Sequence, residues 1–152
     1  MAFNYNGITF VSFAVYAELA GRDTRLFEAN EALTETVVND NLALSSQRIL
    51  GQLRADDWWK KYVLKRDSSL NGDVRSVPAL DPDQIIERER EFKDLNIAHC
   101  LSTYLYPMVA DFGNETSAEV EKIKFYKDEY VELYDMIIQA GDWYDFDNDA
   151  TV

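Results

Sequence analysis

From Arg25 to Arg66 the chain contains no proline, and its apolar residues recur at three- and four-residue steps: Leu26, Ala29, Leu33, Val37, then Val38, Leu42, Ile49 and Leu53, with Ser45 in register. That spacing lines one side of a helix of 3.6 residues per turn, whereas a strand would need alternation. More than a quarter of the chain is thereby committed to amphipathic helix. Asn39 and Asp40 stand where the stripe shifts phase, which predicts a break there with a fresh N-cap and two shorter helices. Gly51 costs about 1 kcal/mol relative to alanine, too little to end the second one.

The flanking segments add shorter elements. Thr9 or Ser12 is expected to cap a short helix running to about Ala20, with Gly21 in the left-handed position that ends it and Asp23 or Thr24 opening the next. Residues 67–82 (DSSLNGDVRSVPALDP) collect turn formers, and Asn71-Gly72 predicts a tight turn with a small hairpin. Asp81-Pro82-Asp83-Gln84 reads as a helix start, with Asp81 at N-cap, Pro82 at the first helical position and Gln84 completing a capping box. The helix that follows is nearly all charged from Glu87 to Asp94 outside Phe92, then apolar on most sides from Leu95 to Ala110. Pro107 predicts a kink or an end near Tyr106. Gly113-Asn114 closes that element, and Thr116-x-x-Glu119 is a capping box for a last helix striped by Val120, Ile123, Tyr130, Tyr134 and Ile137, ending near Ala140 with Gly141 as its C-cap.

The expected fold is mainly α: a bundle of three to four main helices over residues 1–141, a single domain with a mid-chain loop or small hairpin. Residues 142–152 then form an acidic, aromatic C-terminal arm. With 152 residues, 47% hydrophobic and 13% aromatic, the chain has material for a real core, and disorder is excluded. Its single cysteine, Cys100, can form neither an internal disulfide nor a thiolate metal site. The apolar run Ile8–Ala20 contains Glu18, follows no basic segment and is shorter than the roughly 20 residues that span a bilayer. A soluble intracellular protein is the expectation.

The formal net charge is −13. It argues against wrapping nucleic acid, where cations must displace counterions from phosphates, and against adhesion to anionic membrane. The charge is also unevenly spread. Residues 47–66 hold six bases (Arg48, Arg54, Lys60, Lys61, Lys65, Arg66) against two acids, while residues 111–152 hold twelve acids against three bases. A head-to-tail contact between copies would satisfy both; the plainer reading is a basic helix end that complements its own dipole.

Chemical motifs are sparse. The chain lacks G-x-G-x-x-G, G-x-x-x-x-G-K-[ST] and H-E-x-x-H. His99 and Cys100 are adjacent, so on a helix they diverge by about 100° and cannot act as base and nucleophile together. A histidine satisfied by a hydrogen bond inside a packed helix and an inert buried thiol are expected instead, although Ser102 and Thr103 lie near His99 in sequence. Glu87, Glu89 and Glu91 alternate around a helix rather than converge on a metal. Asp145-x-Asp147-x-Asp149 matches the start of a calcium loop, but Ala150 replaces the turn glycine and no glutamate follows. No catalytic, cofactor or metal residues are assigned.

The run His99-Cys100-Leu101-Ser102-Thr103-Tyr104-Leu105-Tyr106-Pro107 and the ending Ala140-Gly141-Asp142-Trp143-Tyr144-Asp145-Phe146-Asp147 carry a further signal. With LSSQRILGQLRADDWW ahead of them, they make most of residues 24–152 resemble the head-to-tail connector proteins of tailed bacteriophages, the adaptor, neck or head-completion proteins below the portal. The resemblance implies a structural virion protein of the neck, not an enzyme, assembled in the host cytoplasm as a ring following the portal's twelvefold symmetry. Its implied partners are other copies of itself, the portal and the next neck or tail protein, with DNA passing through without specific binding. The arm residues Asp142, Trp143, Tyr144, Asp145, Phe146 and Asp147 are the expected portal or neighbour contacts; the other reading of the segment, equally open from the sequence, is that Trp143, Tyr144 and Phe146 pack back on the bundle. Arg54, Trp58, Trp59, Lys60, Lys61 and Arg66 are the candidate ring contacts. On this reading, deleting 142–152 leaves helicity intact and abolishes particle joining. The alternative is an acidic inhibitor or DNA mimic that occupies a basic groove of a host protein; a third possibility is an enzyme centred on His99.

Overall fold

The structure is a computed structural model that describes residues 3–5, 8–10, 12–109 and 118–147. In chain order it contains β1 (Phe3–Tyr5), β2 (Ile8–Phe10), α1 (Tyr16–Arg22), α2 (Thr24–Ala29), α3 (Glu35–Ala55), α4 (Asp57–Arg66), α5 (Glu89–Cys100), α6 (Tyr106–Val109) and α7 (Ala118–Ala140). The protein is mainly helical, as composition and periodicity require. Helices α3, α5 and α7 form the body. Short 3-10 turns and extended segments fill residues 67–88.

Packing divides into two apolar clusters joined along α3 and α5. Leu19, Leu26, Val38 and Leu42 meet Leu101, Leu105 and Tyr126 in one. Ile49, Leu53, Trp59, Phe92, Ile137 and Trp143 meet in the other. Between them lies a short polar seam. Asn96, fully buried on α5, accepts the Ala14 N–H at 2.9 Å and donates to the Leu42 carbonyl at 3.2 Å. The extended residues ahead of α1 continue the pattern, since the Phe13 N–H donates to Ser46 Oγ and the Tyr16 N–H to Asn39 Oδ1. Side chains of α3 and α5 thus supply acceptors for amides of segment 13–16, which belongs to no helix or strand ladder before Tyr16.

That seam explains the first departure from the sequence reading. Asn39 and Asp40 do not break the helix: α3 runs unbroken through them and through Gly51, because Asn39 is occupied in accepting the Tyr16 amide. The breaks fall at Asn30–Thr34 and at Asp56. Thr34 Oγ1 caps α3 by accepting the Val37 N–H, and Asp56 Oδ1 caps α4 by accepting the Trp58 N–H at 2.9 Å. At the N-terminus neither Thr9 nor Ser12 caps a helix. Thr9 lies in β2, Ser12 Oγ donates to the Ala14 carbonyl, and α1 is held instead by Glu18, whose Oε1 accepts the Val15 N–H. Gly21 is inside α1.

The hairpin is displaced too. Asn71 and Gly72 both have positive φ (52° and 74°), the geometry of a hairpin turn. Their flanks, however, curl into 3-10 turns at Ser68–Leu70 and Val74–Ser76, stabilised by Asp67 and Asp73, each accepting an amide two residues on. Strand pairing occurs between β1 and β2, antiparallel with Phe3 opposite Phe10 and Tyr5 opposite Ile8. Asp81 and Pro82 make the expected cap, yet only a 3-10 turn over Pro82–Gln84 follows, and α5 starts at Glu89 after Arg88 in a left-handed conformation (φ 59°). Pro107 produces the expected distortion. It has no N–H for the carbonyl four residues back, and a π-helical turn over Leu101–Leu105 precedes α6. The expected Gly113-Asn114 stop and the Thr116 cap lie outside the described residues.

Asp56 has two partners, because its Oδ2 also accepts the Tyr134 hydroxyl from α7 at 3.0 Å. Replacing Asp56 by alanine removes a cap and an interhelical bond together. The expected cost is about 2 kcal/mol in urea unfolding, with Tyr134→Phe costing about half as much.

Candidate interaction surfaces

The chain leaves α7 through Gly141, whose φ of +61° and N–H to the Ile137 carbonyl form the anticipated C-cap. A β-carbon there would lie 3.3 Å from Trp58 Nε1, so the position needs glycine for space as well as conformation. The turn sends residues 142–147 back across the bundle. Trp143 is 0% exposed; its indole N–H donates to the Ile137 carbonyl at 3.0 Å, and its ring centroid lies 5.1 Å from Trp58 and 5.0 Å from Phe92. Tyr144 packs edge-on against Trp59 and Tyr62. The backbone joins in: the Ile86 N–H donates to the Trp143 carbonyl at 3.1 Å and the Asp145 N–H to the Gln84 carbonyl at 2.8 Å, a one-residue antiparallel bridge between Ile85 and Tyr144.

Of the two readings of 142–147, the structure shows its aromatic residues packed back on the bundle. Trp143, Tyr144 and Asp145 are buried, Phe146 is half-buried over Tyr62, and only Asp142 and Asp147 are exposed. Asp142 forms a two-pronged pair with the Arg88 guanidinium, with Nη2 to Oδ2 at 3.1 Å; those hydrogen bonds hold the Asp142 carboxyl below its ordinary range. The candidate ring contacts divide the same way. Trp59 is buried with its indole N–H on the Pro78 carbonyl, Trp58 and Lys60 are half-buried, and Arg54, Lys61 and Arg66 are exposed. The two aromatic groups singled out in the sequence therefore meet, but inside one subunit. The stretch Asn148–Val152, including the last residues of the calcium-loop pattern, lies outside the described residues.

The charges at the surface follow a simple rule. Arg22, Arg88, Lys93 and Lys122 are paired with Asp94, Glu129, Glu91, Asp142, Glu18 and Asp23. None of the six cations of residues 47–66 has an ion-pair partner among the described residues. Arg66 lies 3.6 Å over the Tyr62 ring and donates to the Tyr62 carbonyl. A basic helix is thus left uncompensated in a chain with thirteen excess acids.

His99 is held, as expected, by a hydrogen bond: its Nδ1 is 2.6 Å from the fully buried Ser45 Oγ, and Tyr130 and Tyr104 flank the ring. Burial, reinforced by the nearby Arg48 charge, lowers its pKa from 6.5 to about 4. Burial pushes the Cys100 thiol up, which keeps it protonated. A polar cluster not singled out in the sequence joins α1, α6 and α7. The buried Asp23 accepts the hydroxyls of Tyr106 and Tyr126, the latter at 2.9 Å, with Lys122 Nζ 3.8 Å away. Both tyrosines are held above their ordinary range by burial and by that carboxylate. A cavity of about 260 Å³ bordered by Asp23, Arg25, Tyr106 and Lys122 opens beside it. Tyr126 stands three residues after Ile123 and four before Tyr130, a spacing that could have found it although the stripe read from the sequence left it out; its partner Asp23 had no such signal, because nothing local marks a helix-junction aspartate as buried. Among the described residues no helix is long and apolar enough to cross a membrane, and no group of three or more His, Cys, Asp or Glu is placed to hold a metal ion.

Trp143→Ala is expected to cost about 4 kcal/mol in thermal unfolding, and truncation before Asp142 to lower helicity rather than leave it intact. His99 gives a pH signature. Its folded pKa lies below the unfolded one, so the unfolded state binds the extra proton between pH 6.5 and 4. Its contribution is therefore complete above pH 6.5 and lost as pH falls toward 4, a change of about 3 kcal/mol that His99→Gln should remove from the stability profile. Compared with protein families, with curated proteins and with solved structures, the chain matches none of them.

Proposed function

We propose that this protein is a structural subunit of a bacteriophage neck, a head-to-tail adaptor that assembles as a ring below the portal and extends the DNA channel without catalysis. The observation that carries the reading is the basic stretch of α3 and α4, whose six cations have no carboxylate ion-pair partner among the described residues although acids outnumber bases by thirteen. Opposite charges on different faces of one subunit favour head-to-tail contact between copies, and such contacts close into rings. A net-acidic ring also repels the phosphate backbone, so DNA passes without adhering. The resemblance of residues 24–152 to connector proteins supplies the particle context. With Trp143 and Tyr144 in the core, portal contact falls to the exposed charges of the C-terminal segment and to residues beyond it.

Electron microscopy and mass measurement of the purified protein, at low and at high salt and with portal added, test this. Closed rings that loosen as salt rises are expected. A monomer under all these conditions contradicts the proposal, and one that instead binds basic nucleic-acid-binding proteins tightly favours the acidic inhibitor.

A further inference from the structure

Resting on that reading, we infer that the outer face of α7 is the acceptor surface for the basic helix α4 of a second copy. Along α7, Glu121, Phe125, Asp128, Glu132 and Met136 follow each other at three- and four-residue steps and share its solvent side. Phe125 is 59% exposed and Met136 52%, with Val131 beside them at 50%. Three large apolar side chains open to water on one helix are more than the scatter of single residues that any surface shows. Lys122 lies 6.0 Å over the Phe125 ring, so the N-terminal half of α7 carries both signs, whereas the half that bears Val131 and Met136 carries one. From Asp128 to the end, α7 carries Asp128, Glu129, Glu132 and Asp135 and no lysine or arginine. Glu129 turns to Arg22 at 3.6 Å, while Asp128, Glu132 and Asp135 are exposed and enter no ion pair among the described residues.

An acidic face studded with apolar side chains fits lysine, whose methylene stem covers apolar surface while its ammonium reaches a carboxylate. Helix α4 offers that chemistry. Lys61 and Lys65 are exposed, stand one turn apart and have no ion-pair partner among the described residues. Their four-residue step matches that of Asp128 and Glu132, so two ammonium groups on one helix face two carboxylates on the other at a common spacing of about 6 Å. Since α4 and the outer face of α7 share no ion pair within the subunit, their complementarity is satisfied between copies. Two different patches meeting give a heterologous contact, the kind that closes a ring.

Charge reversal decides it. Asp128→Lys with Glu132→Lys makes one variant, Lys61→Glu with Lys65→Glu another, and circular dichroism verifies that each folds. Mass photometry at low salt should find each variant alone at least tenfold weaker in self-association than the parent chain, by roughly that order. Mixing the two variants should restore assembly, because each then presents the complement of the other. Rings formed undiminished by either variant overturn this interface while leaving the neck reading intact. Assembly lost in both variants and not restored by mixing also overturns it. A parent chain that forms no rings removes the neck reading itself.

Discussion

The fold closes on one side chain. Trp143 lies seven residues beyond Met136, on chain that has already left its last helix, and it fills the space between α4, α5 and the end of α7. Its indole N–H reaches the Ile137 carbonyl, which also accepts the Gly141 N–H, and its own carbonyl accepts the Ile86 N–H. Without that plug, Trp58, Trp59 and Phe92 would face water, and residues 84–86 would lose the bridge that steadies the approach to α5. A ring of this size contributes a few kcal/mol, a large fraction of a domain's net stability. The Arg88–Asp142 pair at the edge is exposed and adds orientation more than energy.

The opposite half relies on polar groups spent internally. Asn96 joins α5 to α3 and to the segment before α1, Ser45 satisfies His99, and Asp23 gathers two tyrosine hydroxyls. Among the described residues no buried side-chain nitrogen or oxygen lacks a partner. Satisfied polar groups of this kind select one packing over near alternatives, because any shift would leave a donor or acceptor stranded. They also use up what resembles chemistry in the sequence. Ser45 and His99 sit at hydrogen-bond distance, but the serine is sealed in the core and the imidazole is held neutral.

Local signals were read best. The helical class, the end of α7 at Ala140, the Gly141 cap, the Asp81 cap and the disturbance at Pro107 each depend on a few neighbouring residues. Asn39 misled because its side chain serves an amide 23 residues away. At 71–72 the Asn-Gly signal gave the expected positive φ angles but no hairpin, because Asp67 and Asp73 supply capping groups where a hairpin would need alternating apolar residues. The C-terminal segment was hardest. It has no periodicity, and whether Trp143 points into the bundle or away from it depends on Trp58 and Phe92, distant in sequence. The aromatics of both candidate surfaces were thus recognised as important, but the sequence left open whether those of the C-terminal segment pack on the bundle or dock elsewhere, and the structure packs Trp143 and Tyr144 inside it. The cations and carboxylates around them were left as the groups that face a partner.

The proposed function follows from that division, with aromatic residues closing the subunit and the proposal of assembly resting on charges without an ion-pair partner among the described residues. It rests on the C-terminal segment being packed on the bundle through Trp143, Tyr144 and Asp145. Native-state amide hydrogen exchange reads this directly at Ile86 and Asp145, the two N–H groups that join the C-terminal segment to residues 84–86. Protection equal to that of the slowest amides of α3 and α5 is the expected result. Exchange at the rate of an unstructured chain while α3 and α5 remain protected would show the segment to be free, and would contradict the account.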